Sequence, residues 1–194
     1  MRIFPLSMLK GLSIAYKNTP DKVNGFFLEA VKVGDIRAVN KIISIPGFDV
    51  NKPKDFFGHT ALPTAAFGGS HKIVQALINK GADLKTQGIE ALHSAISGSV
   101  FEDVENNNIG IIELLLKHGV DINGGVIVHG FTPLMGAAIQ GKKELIELLL
   151  SKGANPNLTD NEGHTALDLI KKGRARGNMI QELTDLLTTA MKKN

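Results

Sequence analysis

Residues 130–138 read GFTPLMGAA, and nearly the same phrase stands twice more, as GHTALPTAA at 58–66 and GHTAL at 163–167. A phrase that returns in order along a chain marks a repeat architecture. Each unit is then one supersecondary piece that buries its faces only against its neighbours.

Alignment on the phrase divides most of the chain into five units. The most regular is GFTPLMGAAIQGKKELIELLLSKGANPNLTDNE at 130–162. Before it stand GHTALPTAAFGGSHKIVQALINKGADLKTQ (58–87) and a third unit that starts at GIEALHSAIS (88–97). The first unit, FFLEAVKVGDIRAVNKIISIPGFDVNKPKD (26–55), is degenerate, and the last runs over 163–194.

Each recurring position has a physical reason. Gly58, Gly130 and Gly163 open their units where the backbone needs a positive φ. Thr60, Thr132 and Thr165 are placed to cap the helix that follows, and Pro133 suits the first helical position. Ala65, Ala66, Ala137 and Ala138 are small, as a first helix lying close against its neighbours requires. The second helix of each middle unit carries an apolar stripe: Ile73, Val74, Leu77 and Ile78, then Ile111, Ile112, Leu115 and Leu116, then Leu145, Ile146, Leu149 and Leu150. Gly81, Gly119 and Gly153 follow those helices as C-terminal glycines do.

In these positions the chain resembles the ankyrin repeat, whose consensus runs G-x-T-P-L-H-x-A-A with a second helix closing on L-L-x-x-G-A-D-x-N. The resemblance covers about 26–194. It implies an all-α repeat solenoid of stacked helix-turn-helix units with β-hairpin-like fingers, the repeats falling at about 26–57, 58–87, 88–129, 130–162 and 163–194. Residues 1–22 are then an N-terminal capping helix or extension ahead of a repeat domain over 23–194. Leu6, Leu9, Leu12 and Tyr16 share one helical face and are placed to cap the first unit.

The departures from the pattern carry expectations too. The stretch between Gly81 and Gly88 is about three residues short, so a stubby hairpin is expected there. An acidic, Asn-rich insertion, SVFEDVENNN at 99–108, reads as a solvated loop between the helices of the third unit. The turn GGVIVHG at 124–130 is unusually apolar.

Composition narrows the function class. The 194 residues include no Cys, which excludes disulfides, thiolate metal sites and cysteine nucleophiles. The formal charge is +3, divided between a basic first half (12 Lys+Arg against 7 Asp+Glu over 1–99) and a slightly acidic second half. Neither half has the clustered basic density of a nucleic-acid binder. No apolar run approaches the roughly 18 residues that cross a bilayer. The amino terminus lacks a continuous apolar stretch and a small-residue cleavage site, so a cytoplasmic protein without an export signal is expected.

Chemistry-bearing patterns are sparse. The six His stand at 59, 71, 93, 118, 129 and 164 without metal-ligand spacing, and no metal or other cofactor is expected. His93 occupies the consensus histidine position, where the resemblance implies a structural hydrogen bond. No GxSxG, P-loop or GxGxxG occurs, and the repeats leave little chain for a catalytic domain, so the expectation is no enzyme. The run KKGRAR at 171–176 reads as a solvated turn, and as the core of the alternative reading, a binder of nucleic acid or anionic surfaces.

The resemblance implies a partner protein held in the concave groove between finger tips and first helices. Mapped onto this sequence, the partner-binding positions are Phe56, Phe57, His59, Phe67, Ile89, Ile127, Val128, His129, Phe131, Ile139 and Gln140. Contiguous exposed apolar side chains mark an interface, and several of these are apolar. Phe56 and Phe57 are adjacent and point differently, so one of them is expected to pack inward. The resemblance implies another protein as partner, a monomer as the favoured state, and an adaptor role. It also extends to host-directed effectors of intracellular bacteria, delivered without a cleaved signal.

Overall fold

A computed structural model describes residues 11–55, 58–98, 107–126, 129–173 and 177–193, the side chains of 107 and 193 excepted. The expected sites Phe56, Phe57, Ile127 and Val128 lie outside the described residues, as do 1–10, 99–106 and 174–176. Eleven helices follow one another among the described residues. A first helix α1 (Leu12–Asn18) precedes α2 (Pro20–Lys32) and α3 (Ile36–Ile43), and then come α4 (Ala61–Phe67), α5 (His71–Asn79), α6 (Leu84–Gly98) and α7 (Asn107–Lys117). The chain continues through α8 (Pro133–Gln140), α9 (Lys143–Ser151), α10 (Ala166–Ile170) and α11 (Asn178–Lys193). The five pairs from α2/α3 to α10/α11 are the five units, with α1 as the cap.

Burial follows the stripes. Ile73, Val74, Leu77, Ile111, Ile112, Leu115, Leu145, Ile146 and Leu149 are buried, while Ile78, Leu116 and Leu150 at the stripe edges are half-buried. Ala65, Ala66, Ala137 and Ala138 are fully buried, so the inner helices α4 and α8 approach their neighbours closely. The closest approach needs glycine. A Cβ on Gly98, at the end of α6, would meet the carbonyl of Phe67 at the end of α4, and one on Gly173 would meet that of Ile139. Leu12 is buried and Tyr16 packs its ring 5.3 Å from Phe48, which makes α1 a cap on the first unit.

The unit-opening glycines have φ of 86° at Gly58, 69° at Gly130 and 86° at Gly163. The helix caps divide. Thr132 and Thr165 accept from the backbone N–H of Met135 and Asp168, as expected. Thr60 does not cap α4: its hydroxyl donates instead to Gln87 Oε1 at 2.8 Å, because a buried acceptor from the next unit stands within reach.

The fingers are short. Lys54 and Thr60 form an isolated antiparallel bridge, and no longer strand occurs among the described residues. Asp55 N–H donates to His59 O (3.0 Å), Val126 N–H to Phe131 O (3.1 Å) and Asp160 N–H to His164 O (2.9 Å), so three tips are closed.

The hairpin expected between Gly81 and Gly88 is not there, because α6 begins at Leu84 and runs unbroken through both Gly88 and the expected first helix. After each second helix a Gly is followed, two residues on, by Asp or Asn whose side chain accepts from the N–H two residues later: Asp49 from Asn51, Asp121 from Asn123, Asn155 from Asn157. In the second unit Asp83 makes the same turn to Lys85 and adds the N–H and hydroxyl of Thr86. With no residues left for a finger, the turn becomes a helix N-cap.

A second element of the register is missing at the same place. Asn51 accepts from Asp83 N–H (2.8 Å) and Asn123 from Asn155 N–H (2.8 Å), each tying one unit to the next. The equivalent position in the second unit is Lys85, which has no amide to offer. The expected solvated loop also ends earlier than 108, since Asn107 and Asn108 belong to α7 and Asn108 is buried.

Candidate functional site

The inner face is built from the ends of α2, α4, α6, α8 and α10 and from the finger tips. Its main concavity is a cavity of about 690 Å³ in the amino-terminal half, between the 54–60 finger and the inner helices. Pro63, Thr64 and Phe67 of α4 form its floor, continued by Gly68 and Gly69, and Gly98 closes its far end. Lys32 from α2 stands on one side, Glu90 and Ser94 from α6 on the other, and Asp55 and His59 hang over it from the finger.

Phe67 is 47% exposed at the end of α4, an apolar ring left open beside glycines that leave it uncovered. Lys32 and Glu90 are exposed and form no ion pair among the described residues. Asn108 is 7% exposed, lines the same cavity, and its amide oxygen has no hydrogen-bond partner. A buried acceptor without a donor costs about 1–3 kcal/mol, which a bound N–H would recover.

The fingers are stiffened by one local device. In the first, Asp55 accepts from the N–H of His59 (2.8 Å) and its other oxygen lies 3.0 Å from His59 Nδ1. In the last, Asp160 accepts from the N–H of His164 (2.8 Å) and of Glu162 (2.9 Å), with His164 Nδ1 at 3.3 Å. Burial pulls the Asp160 carboxyl up, but these donors outweigh it and its pKa falls below the usual value. His164 Nε2 is met by Lys172 Nζ at 3.1 Å, so this lysine of the 171–176 run is engaged with the finger. The same Asp-x-x-Gly-His spacing at 55–59 and 160–164 makes both pairs finger closures rather than a reactive dyad.

The central finger lacks the Asp and is one residue longer between its paired ends. It leans on the next: Asn161 N–H donates to His129 O (3.1 Å), and the Asn161 side chain fills the space where a Cβ on Gly130 would lie. His129 is exposed and stacks at 5.4 Å on Phe131, which is half-buried against the core.

The expected site residues thus separate. His59 and Phe67 come together at the cavity. Ile89 sits within α6, half-buried, with its end against Gly124, where a Cβ would stand 2.6 Å from Ile89 Cδ1. His129 and Phe131 lie on the central finger. Ile139 is half-buried on the core, and Gln140, also half-buried, ends α8 with its side-chain oxygen unpartnered. Lys32, Glu90, Ser94 and Asn108 join the cavity outside the mapped partner-binding set. The lengthened α6 is what turns Glu90 and Ser94 toward it, and that helix was hidden by the repeat register.

His93 Nε2 lies 3.4 Å from Gly124 O, the structural hydrogen bond that its position implies. Burial lowers its pKa, opposed by the backbone of Gly124 and Phe131. Among the described residues no group of three or more His, Asp or Glu is placed to hold a metal, and no helix is long and apolar enough to cross a membrane.

Comparison with known proteins agrees with this architecture. The family model "Ankyrin repeats (3 copies)" matches residues 27–125 and 100–176. The putative ankyrin repeat protein YahD of Escherichia coli K12 is 29% identical over 198 residues, covering 84% of this chain and 94% of YahD. The human mitochondrial disaggregase is 29% identical over 185 residues and the phosphocholine transferase AnkX of Legionella pneumophila 26% over 162. The alignments span 26% of the disaggregase and 17% of AnkX, so this chain matches only a part of each. The chain belongs to the ankyrin-repeat family, whose repeats are protein–protein interaction modules.

Proposed function

We propose that this chain is a non-catalytic adaptor that grips a partner protein in its concave groove, centred on the cavity over α4. The observation that carries the reading is Phe67, a large apolar side chain 47% exposed at the edge of a cavity of about 690 Å³, with polar groups converging on it from three helices. An apolar anchor ringed by polar side chains is the composition of an interface hot spot. Fold alone gives the mode of binding, and the side chains of this groove set the target.

Affinity capture with quantitative mass spectrometry, wild type beside Phe67→Glu, tests this. Lys117→Glu, on the outer helix α7, serves as the control. The expected result is a protein held by wild type and by the control but depleted at least about ten-fold by Phe67→Glu, since a lost anchor of roughly 1.5–3 kcal/mol is worth that much. Equal capture by all three would refute the groove. Phe67 is exposed, so Phe67→Glu should leave stability within about 0.5 kcal/mol of wild type. The reading extends to action in a host cell reached without a cleaved signal, supported by the likeness to AnkX of Legionella pneumophila. A reporter fusion that stays in the donor cell would count against that extension.

A further inference from the structure

The groove has an electrical direction. Lys32 at the end of α2 carries a positive charge on the amino side of the Phe67 floor, and Glu90 on α6 carries a negative charge on the other side. Both are exposed, and neither is neutralised by an ion pair among the described residues. Asp55, beyond the floor on the finger, adds negative character but is already matched to His59 at 3.0 Å. The three inner helices α2, α4 and α6 stand side by side in the stack.

Resting on the groove reading above, we propose that the occupant is an extended segment of a partner protein that is itself bipolar: acidic at the end over Lys32, apolar at the centre over Phe67, and basic at the end over Glu90. The spacing follows from geometry. Neighbouring helices pack with axes about 8–10 Å apart, so two intervals separate the charges by about 16–20 Å. An extended chain advances about 3.3 Å per residue, which sets roughly six residues between the acidic and the basic side chain. A segment of a single sign would meet repulsion at one end. An extended chain also presents unpaired backbone N–H groups, and the unpartnered Asn108 oxygen in the cavity wall is an acceptor for one of them.

Fluorescence polarisation with four synthetic ten-residue peptides tests the polarity. All four share a Leu-Leu centre. One carries Glu-Glu then Lys-Lys about six residues apart, one has the reversed order, one is Glu at both ends, and one is Lys at both ends. One bipolar order should bind best, by about three- to five-fold over a single-sign peptide for each mismatched end at low salt. The preference should shrink in high salt. Lys32→Glu and Glu90→Lys should each weaken that peptide, and the double exchange should transfer the preference to the reversed peptide. Both positions are exposed, and unchanged circular dichroism melts confirm that the variants are folded.

Four peptides binding alike, a single-sign peptide binding best, no binding by any, or a double exchange that leaves the order unchanged would each overturn the bipolar occupant. The result separates from that of the groove itself. If Phe67→Glu loses the captured protein while the peptides show no polarity, only the inference of this section fails. If Phe67→Glu changes nothing, the groove reading falls and takes the occupant with it.

Discussion

His93 shows how one side chain serves the joint between units. Its imidazole is held neutral by burial, so the folded pKa lies below the ordinary 6.5. As pH falls through that value the unfolded chain takes up a proton that the folded chain resists, and stability declines until the folded pKa is passed. Urea midpoints should therefore drop between about pH 7.5 and pH 5.5, and His93→Gln should flatten part of that slope; an unchanged slope would place the sensitivity elsewhere. Two glycines make a sharper pair. Gly98 and Gly25 both sit in helices, where alanine ordinarily gains up to about 1 kcal/mol. A Cβ on Gly25 meets nothing within 4 Å, whereas one on Gly98 meets the Phe67 carbonyl. Gly25→Ala should raise the unfolding free energy by about 0.5–1 kcal/mol, and Gly98→Ala should lower it by about 1–3 kcal/mol through overpacking.

Among the elements, α6 departs furthest from the repeat. Its first turns are fixed by Gln87, which is buried, accepts from Thr60 and donates to Asn51 Oδ1 at 3.2 Å. Three units meet in that cluster, since Asn51 also donates to Gly81 O at 3.0 Å. Gln87→Ala leaves the Thr60 hydroxyl without its acceptor and should cost about 1–3 kcal/mol, read as a shift in the denaturation midpoint. Had α6 been an ordinary finger, the same substitution would sit on an exposed tip and cost little. The stripes of α5, α7 and α9 and the glycines that follow them were legible in the sequence because each records a period or a backbone angle that few residues satisfy. The start of α6 was not, because a register carried over from neighbouring units assigns a finger to every unit. The local signal was Asp83 followed by Leu-Lys-Thr-Gln with no glycine, a helix start rather than a tip. The diversion of Thr60 toward Gln87 was unreadable for a different reason: it depends on a contact across 27 residues. The cavity's charged walls were missed with it, since Glu90 and Ser94 owe their placement to the same helix.

Across the whole molecule, stability passes between neighbours alone. Leu183 and Leu187 of α11 are fully buried and close the carboxyl end of the stack. Leu187→Ala should cost about 2–5 kcal/mol, and hydrogen exchange should show it falling on the last two units while α2 and α3 exchange as in wild type. A uniform rise along the chain would mean that the stack opens as one body. The row of fingers is not uniform either. The last two described fingers are bonded to each other through Asn161 and His129, whereas α6 stands where a finger would link the first to them. That vacancy has a bearing on how such a gene can grow. Copying one period from within 130–162 would repeat a unit whose Asn157 stands where Asn123 offers its amide, so the copy inherits a ready joint on each side. Copying the second unit would carry Lys85 and the truncated turn with it, and each duplicate would arrive without a joint to its successor. Lengthening by duplication is therefore open at the carboxyl-terminal side and closed around α6, which leaves the cavity over α4 bounded by the same residues however long the array becomes.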